Sequence, residues 1–110
     1  MSRIDRVESL LRQEIAKILQ DRLRDELGFI SVTVVRVTKD LSLAKVYYSQ
    51  LGSDEDREVS FELLKKKAKW IKGELGRVIR LKKIPNLRFY YDDSLSQGDQ
   101  ILQNLDAISE

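Results

Sequence analysis

The chain has 110 residues, of which 42% are hydrophobic and 35% charged, and its formal net charge is +2. It contains no Cys and no His, which excludes disulfides, the usual ligands of zinc, haem and iron–sulfur centres, thiol nucleophiles and the commonest general base. No apolar run reaches the roughly 18 residues of a membrane span, and no signal-type segment opens the chain. We therefore expect one cytoplasmic domain over residues 1–110, without cofactor or metal.

The first 27 residues predict a helix. Ser2 and Asp5 have the spacing of a capping box, and Gly28 is placed to close the helix. Apolar residues recur at helical spacing. They are Ile4, Val7, Leu11, Ile15 and Ile18, with Leu10, Leu19, Leu23 and Leu27 widening the stripe.

Two strands follow, because residues 29–38 are rich in β-branched side chains and residues 43–51 alternate in polarity. The short connection between them predicts an antiparallel hairpin. After it, Ser53 or Asp54 is the expected N-cap of a long helix. Its apolar side consists of Phe61, Leu64, Ala68, Ile71, Leu75, Val78 and Ile79.

Pro85 prevents helix beyond its position, and residues 87–92 alternate as a third strand. A weak last helix is expected over about residues 95–110. The predicted order is α-β-β-α(α)-β-α, an α+β fold with helices packed on one face of a three-stranded sheet.

Charge is distributed unevenly along this chain. Residues 65–83, here called the basic segment, hold nine Lys or Arg and one Glu, a net charge of +8, so the rest of the chain carries −6. Acidic residues collect at 54–58 and again at Asp92, Asp93 and Asp99. Such a basic block attracts polyanions even when the net charge is small. The alternative is an ordinary solvated helix face.

The basic segment supplies the candidate site. On a helical projection its cations gather opposite the apolar residues, with Gly73 and Gly76 among them and Trp70 at the edge as a candidate base-stacking ring. The candidate RNA-binding residues are Lys65, Lys66, Lys69, Trp70, Lys72, Gly73, Gly76, Arg77, Arg80, Lys82 and Lys83.

Two further readings concern the glycines and the tyrosines. The spacing GELG matches the GxxG clamp of KH domains, but the apolar period runs through both glycines, which favours a kinked or continuous helix. Tyr48 with Phe89 or Tyr91 is expected in the core, whereas outward tyrosines are weaker stacking candidates. An enzyme is disfavoured, since only Asp92 and Asp93 beside two tyrosines suggest a carboxylate site.

Several motifs in this order resemble the ribosome-binding factor A family of bacterial small-subunit assembly proteins. They are RIDRVESLLRQEIAKIL, VTVVRVTKDLSLAKVYYSQLG and WIKGELGRVIRLKKIPNLRFYYDDSLSQGDQI. The most specific is L-x-x-x-P-x-L-x-F-x-x-D-x-S from Leu81 to Ser94, and the resemblance covers residues 3 to about 105.

The resemblance implies a type II KH-like fold in which a helix–kink–helix with Ala-x-Gly replaces the GxxG loop. This sequence departs from that pattern, because the matching positions read Lys67-Ala68-Lys69 or Ala68-Lys69-Trp70. The kink is therefore expected to be shallower or displaced to Gly73.

The resemblance also implies a function. A non-enzymatic, monomeric factor is expected to bind the small (30S) ribosomal subunit and its 16S rRNA and to aid late maturation and 5′-end processing, especially in the cold. No membrane or small-molecule substrate is implied. The alternative is a protein-interaction module whose basic helix docks an acidic protein or an anionic surface.

Overall fold

A computed structural model of the protein describes residues 2–92. The predicted order of elements is confirmed through the third strand, whereas the helix predicted near 95–110 lies outside the described residues. The elements are α1 (Arg3–Arg22), α2 (Arg24–Leu27), β1 (Ile30–Val37), β2 (Leu43–Gln50), α3 (Asp54–Val78) and β3 (Asn86–Tyr91).

The three strands form one sheet in the order β1-β2-β3. The predicted antiparallel hairpin of β1 and β2 is confirmed, and β3 pairs with β2 in parallel. Parallel neighbours need a long crossover connection, which α3 provides. α1 packs against β1 and α3 against β3, so the sheet has one helix-covered face, as predicted.

The core lies between the helices and this covered face. Alternate residues of β2 point into it, because successive side chains of a strand face opposite sides. Tyr48 and Phe89 are buried there, as predicted, at 0% and 3% exposure. The residues removed completely from solvent are Leu11, Ile15, Ala44, Val46, Tyr48, Leu64, Ile71 and Leu75.

The first helix differs from the prediction in two respects. It breaks at Leu23, whose φ of −120° and ψ of 8° are not helical, and a single further turn ends at Gly28 with φ +71°. The break keeps Leu23 and Leu27 buried while the chain turns toward β1. Leu10 is 38% exposed because it lies outside the arc of α1 that meets the sheet.

The long helix α3 also ends earlier than the apolar period predicts. Ile79 is extended, with ψ 133°, and turns its side chain into the core, so it caps the helix instead of continuing it. Val78 is consequently 61% exposed, and its assignment to the apolar side was wrong. Arg80 lies after the helix, not on its basic face.

A polar cluster joins the elements at the start of α3. The buried amide of Gln50 donates hydrogen bonds to the carbonyl oxygen of Leu27 at 3.1 Å and to the hydroxyl of Ser60 at 2.8 Å. These bonds connect α2, β2 and α3. They also satisfy a helix-end carbonyl that burial would otherwise leave without a donor.

Candidate nucleic-acid interface

The charges of α3 are separated along its length. Ser53 caps its N-terminus and forms a capping box with Asp56, and Asp54, Glu55 and Asp56 occupy the first turn. Apart from Arg57, which pairs with Asp54, the cations begin at Lys65 and continue past the C-terminus of the helix. Both ends match the helix macrodipole, which favours acidic groups at the N-terminus and basic groups at the C-terminus. As a result, α3 has an acidic N-terminal end and a basic C-terminal end.

Most predicted cations of the basic segment lie on the surface. Four of them are exposed side chains of α3, and three follow the helix, also exposed. Lys72 is only half-buried, and its ammonium donates a hydrogen bond to the Asn86 side chain at 2.8 Å. The exposed cations of the site are Lys65, Lys66, Lys69 and Arg77 on the helix and Arg80, Lys82 and Lys83 beyond it.

The single acid of the basic segment is already paired within the protein. The Glu74 carboxylate accepts from the Arg22 guanidinium at 2.7 Å and lies 3.7 Å from that of Arg77. Arg22 comes from α1, which crosses α3 at this point. Glu74 carries the only negative charge between residues 65 and 83. The remaining cations of the segment therefore have no acidic partner within the segment.

Arg22 and Lys67 are residues of this surface that the sequence reasoning missed. The Arg22 guanidinium lies 5.2 Å from the Trp70 ring centre and the Lys67 ammonium lies 5.6 Å from it. Lys67 has a sequence signal, since it belongs to the run of lysines at 65–67. Arg22 has none, because its partner Glu74 is 52 residues away in sequence.

These contacts affect the role predicted for Trp70. The ring is half-buried in the seam between α1 and α3, and two cations already stand near it. Cation–π contacts of this kind contribute about 0.5–1 kcal/mol each at exposed sites. Trp70 is thus already engaged within the protein, unlike a fully exposed stacking ring.

The glycines of GELG do not form a loop. Gly73 and Gly76 both lie inside α3, and neither is among the residues with positive φ. The KH-type clamp reading is therefore wrong for this structure, because a clamp requires non-helical backbone between two helices. Instead, α3 is a single helix through both glycines.

Neither glycine is needed for packing. A Cβ added at Gly73 would meet nothing within 4 Å, and one at Gly76 would meet only Ile84 Cγ1, at 3.8 Å, which is ordinary contact. Glycine inside a helix costs about 1 kcal/mol relative to Ala. The interior of this protein gives no reason for that cost.

The strand tyrosines are less accessible than the sequence suggests. Tyr47 points away from the helices but is only 2% exposed, and its ring stacks on Tyr90 at a centroid distance of 5.3 Å. Burial raises the pKa of the Tyr47 phenol above its usual value. Tyr47 is thus not an open stacking surface, whereas Tyr90 is half-buried.

Two absences hold for residues 2–92. No helix in this range is long and apolar enough to cross a membrane. The same residues include no group of three or more acidic side chains arranged to hold a metal ion.

Comparison with known proteins places these features in context. The family model for ribosome-binding factor A matches residues 3–105. Ribosome-binding factor A of Staphylococcus carnosus is 41% identical over 100 residues, which cover 90% of this chain and 87% of that protein. The relatives thus match nearly the whole chain.

Solved structures are similar in fold. The crystal structure of ribosome-binding factor A from Thermus thermophilus has a TM-score of 0.72 at 23% identity and covers 82% of this chain and 97% of its own. A homology model of the Thermus thermophilus factor, fitted into a cryo-EM map of a 30S complex with that factor, has a TM-score of 0.69 at 24% identity, covering 84% and 97%.

Proposed function

This chain belongs to the ribosome-binding factor A family, and we propose that it is a non-enzymatic assembly factor that binds the free small ribosomal subunit through 16S rRNA. It acts as a monomer in the cytoplasm and aids late maturation and 5′-end processing of 16S rRNA, with its largest effect in the cold. A Thermus thermophilus relative fitted into a 30S complex supports the choice of partner.

The observation that carries this proposal is the unbalanced positive charge of the basic segment. Its one acid, Glu74, is engaged by Arg22 and Arg77, and outside the segment Glu62 lies 3.5 Å from Lys65. The exposed cations that remain are Lys66, Lys69, Arg80, Lys82 and Lys83. Exposed cations gathered on one side of a helix suit a polyphosphate, since each phosphate contact releases condensed counterions.

Gly73 and Gly76 support the same surface. Both lie on the outer side of α3 between flanking cations, and nothing inside the protein requires either to lack a side chain. A helix without Cβ atoms at these positions allows a phosphate or a ribose to approach the backbone closely. Contact with RNA would offset the loss of helix stability that the two glycines cause.

Salt dependence tests the electrostatic mechanism. If four or five phosphates are neutralised, raising salt about fourfold should weaken binding to purified small subunits about 50- to 500-fold, because each contact adds about −0.7 to −0.9 to the slope of log K against log salt. The measurement is co-sedimentation or fluorescence anisotropy over a salt series.

Protein-free 16S rRNA provides the control that separates RNA from protein partners. We expect the slope to persist on deproteinised 16S rRNA, because the phosphates remain. A strong slope on whole subunits that vanishes on the bare rRNA would favour an acidic protein partner and contradict the proposal. An affinity that does not change with salt concentration on either target would contradict the electrostatic mechanism.

The maturation role is tested in cells. A bacterium that depends on this protein and is depleted of it should accumulate 16S precursor with an unprocessed 5′ end, more strongly at low temperature. Primer extension across the 5′ end measures this ratio. Equal precursor levels with and without the protein at both temperatures would contradict the assignment.

A further inference from the structure

Three exposed apolar side chains lie around one depression at the acidic end of α3. Phe29, Leu51 and Val59 are 70%, 79% and 65% exposed, and together they line a depression of about 360 Å³. They are here called the apolar patch. The charged residues that line the same depression, Glu26 and Asp56, are both acids. Single exposed apolar residues are ordinary, whereas several that meet at one depression and have a polar rim are typical of an interaction site.

The fold holds the apolar patch in place before any partner binds. Phe29 precedes β1 and Leu51 follows β2, at the end of the hairpin away from its turn, and Val59 lies in the second turn of α3. The Gln50 amide joins these elements, because it donates to the last carbonyl of α2 at 3.1 Å and to a hydroxyl of α3 at 2.8 Å. A partner therefore does not have to order the surface that it meets.

The charge around the apolar patch is negative. Residues 54–58 hold four acids and one Arg, and residues 24–29 hold two acids and one Arg. Glu26 and Glu55 are exposed, and neither belongs to an ion pair between residues in the range 2–92. A segment that docks here meets apolar side chains beside carboxylates, which favours a cationic partner.

Both arginines of this region are already engaged. The Arg57 guanidinium lies 3.4 Å from the Asp54 carboxylate and 4.9 Å from the centre of the Tyr91 ring. The Arg24 guanidinium lies 5.1 Å from the centre of the Phe29 ring, which still remains 70% exposed. The Phe29 ring thus has room for a second neighbour, and a Lys or Arg of a partner would make the same kind of contact with it.

Other occupants fit the charge less well. Residues 93–110 of the chain itself hold four acids and no Lys or Arg, so their charge has the same sign as that around the apolar patch. A second copy docked patch to patch would bring carboxylates together, and an RNA strand would bring phosphates. The chemistry favours a basic protein segment that carries an apolar anchor.

We propose that the apolar patch docks a basic protein segment of the small subunit, with an apolar side chain in the depression and Lys or Arg residues facing Glu26 and Glu55. This inference rests on the proposed binding to the small subunit. It adds a protein contact at the acidic end of α3 to the RNA contact at the basic end. The factor would then bridge a protein and the RNA of one subunit.

The test is the double substitution Leu51→Gln with Val59→Gln in the full chain. Both side chains are exposed, so the variant should melt near the wild type. Its affinity for purified small subunits should fall at least about tenfold, since two apolar side chains no longer gain from burial. Its affinity for deproteinised 16S rRNA should stay at the wild-type value, because no protein segment is present. Fluorescence anisotropy measures both affinities.

The control for the apolar change is Leu10→Gln. Leu10 is an exposed apolar residue of α1 outside the apolar patch, and its change should leave both affinities at the wild-type value. A loss of subunit affinity in this control equal to that of the test variant would mean that any exposed apolar residue contributes, and would overturn the inference.

A second variant tests the charge of the partner. Glu26→Gln with Glu55→Gln should tighten binding to deproteinised 16S rRNA, since the protein loses two negative charges. The ratio of subunit affinity to rRNA affinity should fall at least about twofold, because two exposed ion pairs with the partner are lost. An unchanged or raised ratio would overturn the assignment of a basic partner.

A photo-reactive benzophenone side chain introduced at Leu51 identifies the occupant directly. In complexes with purified small subunits, mass spectrometry should find it crosslinked to a Lys- or Arg-rich peptide of a subunit protein. Crosslinks only to RNA, to a second copy or to residues 93–110 of the same chain would each overturn the inference.

Two affinity results separate this inference from the proposed function. Normal subunit binding by the Leu51→Gln, Val59→Gln variant, with loss of binding when α3 is neutralised, would reject the apolar patch and leave the RNA site standing. If the proposed function itself fails, the wild-type chain binds neither small subunits nor 16S rRNA.

Discussion

Gly73 has no steric neighbour and a helical backbone, so its substitution isolates helix propensity. We expect Gly73→Ala to stabilise the protein by about 1 kcal/mol, which is about 4–8 °C in melting temperature for a domain of this size. Binding to small subunits should weaken, since the new methyl group occupies the surface that the proposal gives to RNA. Thermal unfolding and anisotropy measure the two effects.

Gly28 is the matched control for this prediction. A Cβ there would also meet nothing within 4 Å, but its φ is +71°. The same change to Ala should therefore destabilise the protein, by about 1–3 kcal/mol for a strained backbone. A fall in melting temperature for Gly73→Ala comparable to that for Gly28→Ala would contradict a continuous helix at Gly73.

Asp40 makes a pH-dependent contribution to stability. Its carboxylate accepts hydrogen bonds from the Ser42 hydroxyl at 2.7 Å, the Thr38 hydroxyl at 2.8 Å and the Ser42 amide at 3.1 Å, which lower its pKa from 3.8 to about 2. The folded pKa lies below the unfolded one, so the contribution is complete above about pH 4 and is lost as pH falls toward 2. Asp40→Ala should lower stability at neutral pH, and the deficit should shrink through that window. A deficit independent of pH from 6 to 2 would contradict these bonds.

At the scale of elements, α3 has a buried side and an exposed side that can be compared within one turn. Leu75 is 0% exposed and Val78, three residues later, is 61% exposed. Leu75→Asp should prevent folding, because an unpaired carboxylate would enter the core. Val78→Asp should change stability by less than about 0.5 kcal/mol. Circular dichroism on the two purified variants measures the contrast, and a folded Leu75→Asp protein would refute the packing of α3.

Some of the elements could be predicted from the sequence and others could not. The capping residues Ser2 and Ser53, the hairpin and the third strand were predictable, because caps, turns and alternation are local signals. The break at Leu23 was not, since Leu23 and Leu27 keep the helical period on both sides of it. The pairing of Arg22 with Glu74 depends on how α1 crosses α3, which no local pattern encodes.

The candidate site could be predicted only in part from the sequence. Clustering of cations at 65–83 follows directly from the sequence, and their exposure agrees with the helical projection for Lys65, Lys66, Lys69 and Arg77. The projection failed at Arg80, because it assumed helix beyond Val78.

At the scale of the whole molecule, the charge separation is the feature that links structure to function. The net +8 of residues 65–83 stands against −6 in the rest of the chain, and the acids of 54–58 lie at the opposite end of α3. A molecule with such a charge distribution is attracted to a polyanion in one orientation. In the proposed function, this attraction would turn the basic end toward RNA and the acidic end away from it.

The central claim is that the basic segment contacts RNA and is not merely solvated. The quadruple variant Lys69→Gln, Lys72→Gln, Arg77→Gln and Arg80→Gln tests it. Gln retains helix propensity and most of the chain length, and changes at the exposed residues Lys69, Arg77 and Arg80 usually alter stability by less than about 0.5 kcal/mol each. Lys72 is half-buried and loses one hydrogen bond, to Asn86, which contributes about 0.5–1.5 kcal/mol, so the variant should remain folded. The control is a second variant that loses the same amount of charge elsewhere. In it, the exposed residues Arg3, Arg6, Arg12 and Arg24 are each changed to Gln.

The deciding measurement is the affinity of the two variants for purified small subunits, beside their melting curves. We expect both variants to melt near the wild type, the control to bind subunits, and the variant of the basic segment not to bind them. Normal subunit binding by the folded variant of the basic segment would contradict the account, because residues 65–83 would then be only a solvated surface.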